Sequence, residues 1–242
     1  MWLKSPNCLT LNPFDIHLWK QHLKVSDLEV NRCFAILDQE EKIKAEKFSF
    51  KEHQRRFIVA RGTLKIILGR YLNIPASTVE FTYSSRGKPR LTNKLVGNGL
   101  QFNLSHSHEL AIYGVTCNHI IGVDLEYIRP MSEAKKLAKR FFCSQEYHHI
   151  SLLTSPDLEK TFFKLWTAKE AYLKATGEGI GGGLNQVEFS LGSFPQLLKL
   201  PNNQSLLNWT TYFLIPHPNY QGAVVFYTNK YTNEWKLSYW TV

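Results

Sequence analysis

Residues 162–177 read FFKLWTAKEAYLKATG. Phe162, Leu165 and Tyr172 recur at helical intervals with Ala168 between them, and Phe163, Trp166 and Leu173 widen the apolar stripe. The run holds no proline, and Ala168, Ala171 and Ala175 are strong helix formers. Upstream, Ser155-Pro156 offers a cap followed by proline in the first turn. Gly177 stands where a glycine commonly ends a helix. The spacing predicts a mostly buried helix that carries Lys169, Glu170 and Lys174. Glu170 and Lys174 are one turn apart and share a face. Taken alone they form an ordinary solvated ion pair, of about 0.2–0.5 kcal/mol.

The chain has 242 residues, enough for one large domain or two smaller ones with a real core. At 43% apolar and 20% charged, its composition excludes a disordered chain. No stretch approaches the ~20 uncharged apolar residues of a membrane span. The first residues, MWLKSPNCLTLNPF, lack the layout of a signal peptide. Cys8, Cys33, Cys117 and Cys143 are scattered with no CxxC spacing. That argues against a zinc site or a disulfide framework and for reduced thiols in the cytoplasm. The net charge of +9 attracts polyanions: nucleic acid, an anionic membrane, a phosphate-rich cofactor or an acidic protein. Charge alone does not choose among them. No block of five or six like charges marks a nucleic-acid tail.

Outward from the opening stretch, residues 25–37 are predicted helical, with Ser26 and Glu29 forming a capping box. Residues 39–47 continue as a charged helix. Residues 53–72 form a longer one with Phe57, Ala60, Leu64, Ile67, Leu68 and Leu72 on one face. Asn73-Ile74-Pro75 stops it. Extended segments are predicted at 16–19, 79–83, 100–104, 110–116 and 120–125, the last as a central strand. Helices follow at 132–142 and 144–153. Beyond a flexible glycine-rich loop at 177–183, strands are predicted at 187–191, 210–215, 222–228 and 236–240. Each half places a helix-rich stretch before several strands. The boundary falls near 117–121 with no Pro/Gly/Ser linker, so the halves are 1–117 and 118–242. A cleft shared by tightly packed halves is a natural ligand site.

Asp124 and Glu126 lie two apart in an extended run, so their side chains point to one face. Two carboxylates held together repel unless a cation sits between them. A few oxygen ligands suit Mg²⁺, which keeps waters and accepts substrate phosphate oxygens. The plain alternative is a strand end in solvent. Glu170 could add a third oxygen if its helix packs over that strand end. Arg86-Gly87-Lys88-Pro89-Arg90 sets three cations around a turn, as a surface turn or as a phosphate clamp. His106 lies between Ser105 and Ser107 at a strand end, placed for a phosphate or for structural hydrogen bonding. No Cys/His pair or Gly-x-Ser-x-Gly elbow supports a protein nucleophile. The glycines of 177–183 fit neither phosphate-loop pattern.

The order of these pieces is more specific than any one of them. Gly87-Lys88-Pro89 comes first, then Phe102-Asn103-Leu104-Ser105-His106-Ser107. Ile121-Gly122-Val123-Asp124-Leu125-Glu126 follows, then Phe141-Phe142-x-x-x-Glu146, then Trp166-Thr167-Ala168-Lys169-Glu170-Ala171 and Lys174, with Gly177-Glu178-Gly179 behind. The set, over residues 44–183, resembles the 4′-phosphopantetheinyl transferase superfamily. The length is similar to its long, pseudodimeric (Sfp-like) class that serves peptide and polyketide synthases, not the short trimeric class dedicated to fatty-acid carrier proteins.

The resemblance implies an α+β fold of two similar α/β halves related by a pseudo-twofold. Each half has a small sheet packed on helices, with the active-site cleft between them. It implies a monomer that moves 4′-phosphopantetheine from coenzyme A to a serine of apo acyl or peptidyl carrier proteins, acidic helical bundles, and releases 3′,5′-ADP. Mg²⁺ is the implied metal, with Mn²⁺ as an alternative. By the same resemblance Asp124 and Glu126 are metal ligands, and Glu170 is the third ligand or the base for the serine proton. Lys169 and Lys174 lie near the pyrophosphate, Lys174 being the better placed to stabilise the leaving group. Lys88, Ser105 and His106 contact the nucleotide phosphates, and Lys44, Arg56 and Arg61 the 3′-phosphate. The N-terminal half thus carries coenzyme A contacts and the C-terminal half the metal site. Two other readings stand beside this one. A basic nucleic-acid-binding module would use Arg55, Arg56, Arg61 and Arg90, but its backbone partner would be repelled by the three acids. An inactive relative would keep the fold as a carrier-protein scaffold.

Overall fold

A computed structural model of the chain describes residues 1–95, 99–179, 183–192, 195–228 and 235–242. Residues 180–182 of the predicted glycine loop lie outside the described residues. The chain runs through β1 (Leu3–Lys4), β2 (Asp15–His22), α1 (Asp27–Ile36), α2 (Gln39–Glu46), α3 (Lys51–Leu72), β3 (Phe81–Tyr83), β4 (Pro89–Leu91), β5 (Leu100–Ser107) and β6 (Leu110–Cys117). It continues through β7 (Ile121–Tyr127), α4 (Ala134–Phe141), α5 (Ser144–Leu152), α6 (Asp157–Thr176), β8 (Glu188–Phe189), β9 (Leu197–Lys199), β10 (Trp209–Leu214), β11 (Tyr220–Tyr227) and β12 (Lys236–Thr241). The fold is mixed α+β, as expected. It divides into two compact units, Met1–Asn118 with Trp235–Val242, and His119–Glu234.

In the first unit the strands form one sheet in the order β1-β12-β2-β6-β5. β2, β6 and β5 pair antiparallel, whereas β12 runs parallel to both β1 and β2. Residues 235–242 therefore return to the first unit and not to the second half of the chain in which the sequence reading put them. Pairing so distant in sequence leaves no local trace. The core lies between this sheet and α1 and α3, around Trp19, Ile67, Leu68 and Tyr113. Tyr113 Oη donates to the Ala60 carbonyl at 3.1 Å, which ties α3 to β6. Ser26 caps α1 by accepting from Glu29 N, and Asp38 forms a full capping box with Glu41 at α2. α3 ends at Asn73 in the left-handed region, as the Asn-Ile-Pro stop implied. β3 and β4 make a small separate hairpin around the 84–88 turn.

In the second unit β10, β11 and β7 form an antiparallel sheet in that order. β7 is its outer strand, not the central strand its apolar, β-branched sequence suggested. It reads as central because α6 covers it, and covering by a helix buries side chains as well as a neighbouring strand does. α6 packs on β7 and β11 through Phe162, Leu165, Ala168, Tyr172 and Ala175. Its C-terminus has the expected cap, with Gly177 at φ 79 and its N–H bonded to the Leu173 carbonyl at 2.8 Å. Its N-terminus differs from the expectation. Pro156 occupies the cap position itself after a cis Ser155-Pro156 bond, and Ser155 Oγ donates to Glu159 Oε1 at 2.6 Å instead of capping backbone.

Candidate active site

The site begins with a glycine. A Cβ built at Gly122 would stand 2.0 Å from the Ala171 carbonyl oxygen and 2.4 Å from Ala175 N. The β7 backbone thus lies directly against α6, with Ala171 and Ala175 the small residues opposite. Two residues further, Asp124 is buried on β7 opposite Ala223 of β11. Across the seam, Lys174 Nζ donates to Asp124 Oδ1 at 2.5 Å. The surface pair that spacing offered, Glu170 with Lys174, is therefore replaced by one that crosses from helix to strand. Glu170 is itself buried, 7% exposed. Its Oε1 has no hydrogen-bond partner among the described residues. Glu126, on the same strand face as Asp124, is partly exposed and lies 3.9 Å from Arg129.

Burial pushes the Glu170 carboxyl up to about 7. The negative charge of Asp124 pushes the same way, Lys174 opposes it, and Glu126 adds a smaller push. Three carboxylates in mutual electrostatic range and one ammonium leave negative charge in a buried setting. A hard divalent cation relieves this. No three His, Cys, Asp or Glu side chains stand in metal-holding geometry among the described residues. The Lys174 ammonium sits on Asp124 instead. The donor chemistry and the orphaned Glu170 oxygen nevertheless fit a magnesium-type ion, with Lys174 as the group that would have to yield.

Lys169 does not belong to this cluster. It is fully buried and pairs with Glu146, also fully buried, at 2.7 Å. It donates as well to the carbonyls of Leu184, at 3.0 Å, and Val187. The expectation that Lys169 meets the pyrophosphate is therefore corrected. One residue from Glu170 is about 100° around the helix, which turns the ammonium away into the protein. Spacing could not reveal this, because α6 is buried on nearly all sides.

In the first unit, Lys88 lies in the β3–β4 turn, where burial and Arg90 bring its ammonium down to about 8. A lysine so placed favours an anionic partner. Ser105 is buried and His106 exposed on β5, on opposite faces as neighbours in a strand must be. Lys44 is exposed above the Phe57 ring. Arg56 pairs with Glu52 one turn away on α3. Arg61 is buried, 3.5 Å from Glu41 and stacked among Phe57, Phe81 and Tyr83. Its charge is taken up inside the unit, which corrects the expectation of a contact to a 3′-phosphate.

Comparison with known proteins adds two family matches. Residues 22–117 match the model described as 4′-phosphopantetheinyl transferase, N-terminal, and residues 120–238 that of the 4′-phosphopantetheinyl transferase superfamily. The chain is 43% identical to 4′-phosphopantetheinyl transferase HetI of Nostoc sp. over 92% of both proteins. The chain belongs to the 4′-phosphopantetheinyl transferase superfamily. Its similarity to psf-1 of Bacillus pumilus (32% identity; 87% of this chain, 88% of the relative) and to Sfp of Bacillus subtilis (27%; 83% and 86%) puts it in the long, Sfp-like class. A solved holo-(acyl-carrier-protein) synthase of Bacillus anthracis, in complex with CoA (3′,5′-ADP), aligns over 44% of this chain and 93% of its own. That match has 21% identity and a TM-score of 0.36, too low to carry an argument. The enzyme class of the relatives, not a nucleic-acid module, is the one the chain falls into. No described helix is long and apolar enough to cross a membrane.

Two residues that shape this transferase-family site carried no role in the sequence reading. Gly122 was visible only as a small residue inside an apolar β run, and Glu146 only as a spacing after Phe142. The raised Glu170 carboxyl also makes a measurable prediction for the metal-free protein. The group holds its proton in the folded state up to about 7 against 4.5 unfolded. Its contribution is therefore full below 4.5 and lost as pH rises through 7. Glu170→Gln should stabilise the protein by about 1–3 kcal/mol at pH 8 and change little at pH 4.5. Urea titrations at the two pH values check this; equal effects at both would remove the buried-carboxyl assignment.

Proposed function

We propose that the chain transfers 4′-phosphopantetheine from coenzyme A to the serine of apo acyl or peptidyl carrier proteins and releases 3′,5′-ADP. The observation that carries this is the cluster of Asp124, Glu170 and Lys174 across the α6–β7 seam in a chain of this family. Asp124, Glu126 and Glu170 would hold Mg²⁺, with Mn²⁺ as the alternative. When bound, the ion neutralises pyrophosphate charge. The serine oxygen attacks the β-phosphorus, a new phosphoester bond forms, and the bond to the 3′,5′-ADP phosphate breaks. Glu170, with a carboxyl near neutrality, takes the serine proton. Lys174 leaves Asp124 for the departing phosphate and balances its charge.

Lys88, Ser105 and His106 are the proposed partners of the nucleotide phosphates, and Lys44 and Arg56 those of the 3′-phosphate. This gives residues 1–117 the coenzyme A contacts and the second unit the chemistry. The net charge of +9 supports an acidic carrier protein as partner. The four free cysteines support a cytoplasmic site of action for a monomer built as a pseudodimer. Peptide, polyketide and fatty-acid carriers are all within the chemistry. The test is chromatographic release of 3′,5′-ADP from coenzyme A, dependent on both Mg²⁺ and apo carrier. No release with a carrier that a known transferase modifies would leave an inactive relative as the reading.

A further inference from the structure

Lys169 and Glu146 are left without a role once Lys169 is withdrawn from the ligand contacts. All three donor positions of the Lys169 ammonium are engaged, by Glu146 Oε2 at 2.7 Å, the Leu184 carbonyl at 3.0 Å and the Val187 carbonyl. Glu146 is equally committed. Its Oε1 accepts from Phe189 N at 2.9 Å, and its Oε2 also accepts from Cys143 N at 3.1 Å. A buried ion pair is weak support for stability, since apolar side chains of like volume commonly do as well. This pair instead joins α6, the N-terminus of α5 and residues 184–189. That last segment is where the chain returns after the loop that begins at the Gly177 cap. Gly177 N and Glu178 N both bond to the Leu173 carbonyl, at 2.8 and 3.1 Å. α6 therefore holds the near end of the loop by its backbone cap and the far end by Lys169. Glu170 is the next residue. Its Oε1 takes no hydrogen bond among the described residues, so its place follows from the α6 backbone.

We propose that the Lys169–Glu146 pair is a positioning device. It fixes the rotation of α6 and with it the line of Glu170 and Lys174 against β7, and it does not touch substrate. The inference rests on the reading of Glu170 as metal ligand and proton acceptor. Lys169→Met alone strands the Glu146 charge and weakens the fold, so the decisive variant is Glu146→Gln with Lys169→Met, which removes both charges. Three quantities are measured: the thermal midpoint, Mn²⁺ affinity by electron paramagnetic resonance without coenzyme A, and kcat with KM for coenzyme A. The double variant should regain most of the midpoint lost in Lys169→Met yet bind Mn²⁺ about 10-fold more weakly. Its kcat should fall about 10-fold or more with KM for coenzyme A held within about twofold. Wild-type Mn²⁺ affinity and kcat in the refolded double variant would overturn the proposal. So would a raised KM with unchanged Mn²⁺ binding, which would put Lys169 on the substrate, or an unaltered protein that binds no Mn²⁺. An unaltered protein that binds Mn²⁺ but transfers nothing would overturn the transferase reading alone, and the Mn²⁺ comparison would still decide the positioning.

Discussion

Gly122→Val should destabilise the protein by about 3 kcal/mol or more and take transferase activity below detection in whatever remains folded. The reason is the distance between backbones. Even the first side-chain carbon would stand 2.0 Å from the Ala171 carbonyl and 3.0 Å from Ala175 Cα. Neither is the movable end of a flexible side chain. Either α6 lifts from β7 or the strand leaves its ladder with β11. Lifting α6 draws Lys174 from Asp124 and Glu170 from both carboxylates of β7. Gly122→Ala makes the same collision with one carbon and should lie between, at about 1–3 kcal/mol. Chemical denaturation gives the stability, and activity is compared at a temperature where each variant is folded. A valine variant with the unaltered midpoint would mean that the α6–β7 contact is not as close as described.

The second large effect concerns Asp124. Asp124→Ala should cut transfer by about 10³-fold or more while the fold holds. Its only described ion-pair partner, Lys174, keeps a side chain 30% exposed and can turn to water. Loss of the pair is therefore cheaper than loss of a buried one. Removing Asp124 also takes away the second-largest cause of the raised Glu170 carboxyl, which offsets part of the cost. Circular dichroism and the thermal midpoint establish the fold, and steady-state kinetics at saturating Mg²⁺ the activity. Activity within about tenfold of the unaltered protein would move the charge-bearing centre off β7.

Much of this was legible before any coordinates. The apolar stripe and Gly177 marked α6, and the two-residue spacing put Asp124 and Glu126 on one face. The reading failed where the answer depended on which side of a buried element a residue faces. Lys169 and Lys174 are both lysines on one helix beside one glutamate. Only packing shows that the first points to Glu146 and the second to Asp124. Arg61 was misread in the same way, as a basic decoration of α3 that proves to be enclosed by Glu41 and three rings. The return of β12 to the first sheet rests on pairing with residues more than 200 positions away, which no local pattern encodes. Gly122 shows a further limit. A glycine kept for space, not for its backbone angle, looks like any other small residue until its neighbour is known.

The central claim is that this site loads carrier proteins from coenzyme A. Intact mass spectrometry of an apo peptidyl carrier protein tests it most directly, after incubation with the enzyme, coenzyme A and Mg²⁺. The account predicts a gain of about 340 Da, one phosphopantetheine, that disappears when Mg²⁺ is chelated. An unmodified carrier, in a mixture where a known transferase modifies it fully, would contradict the account.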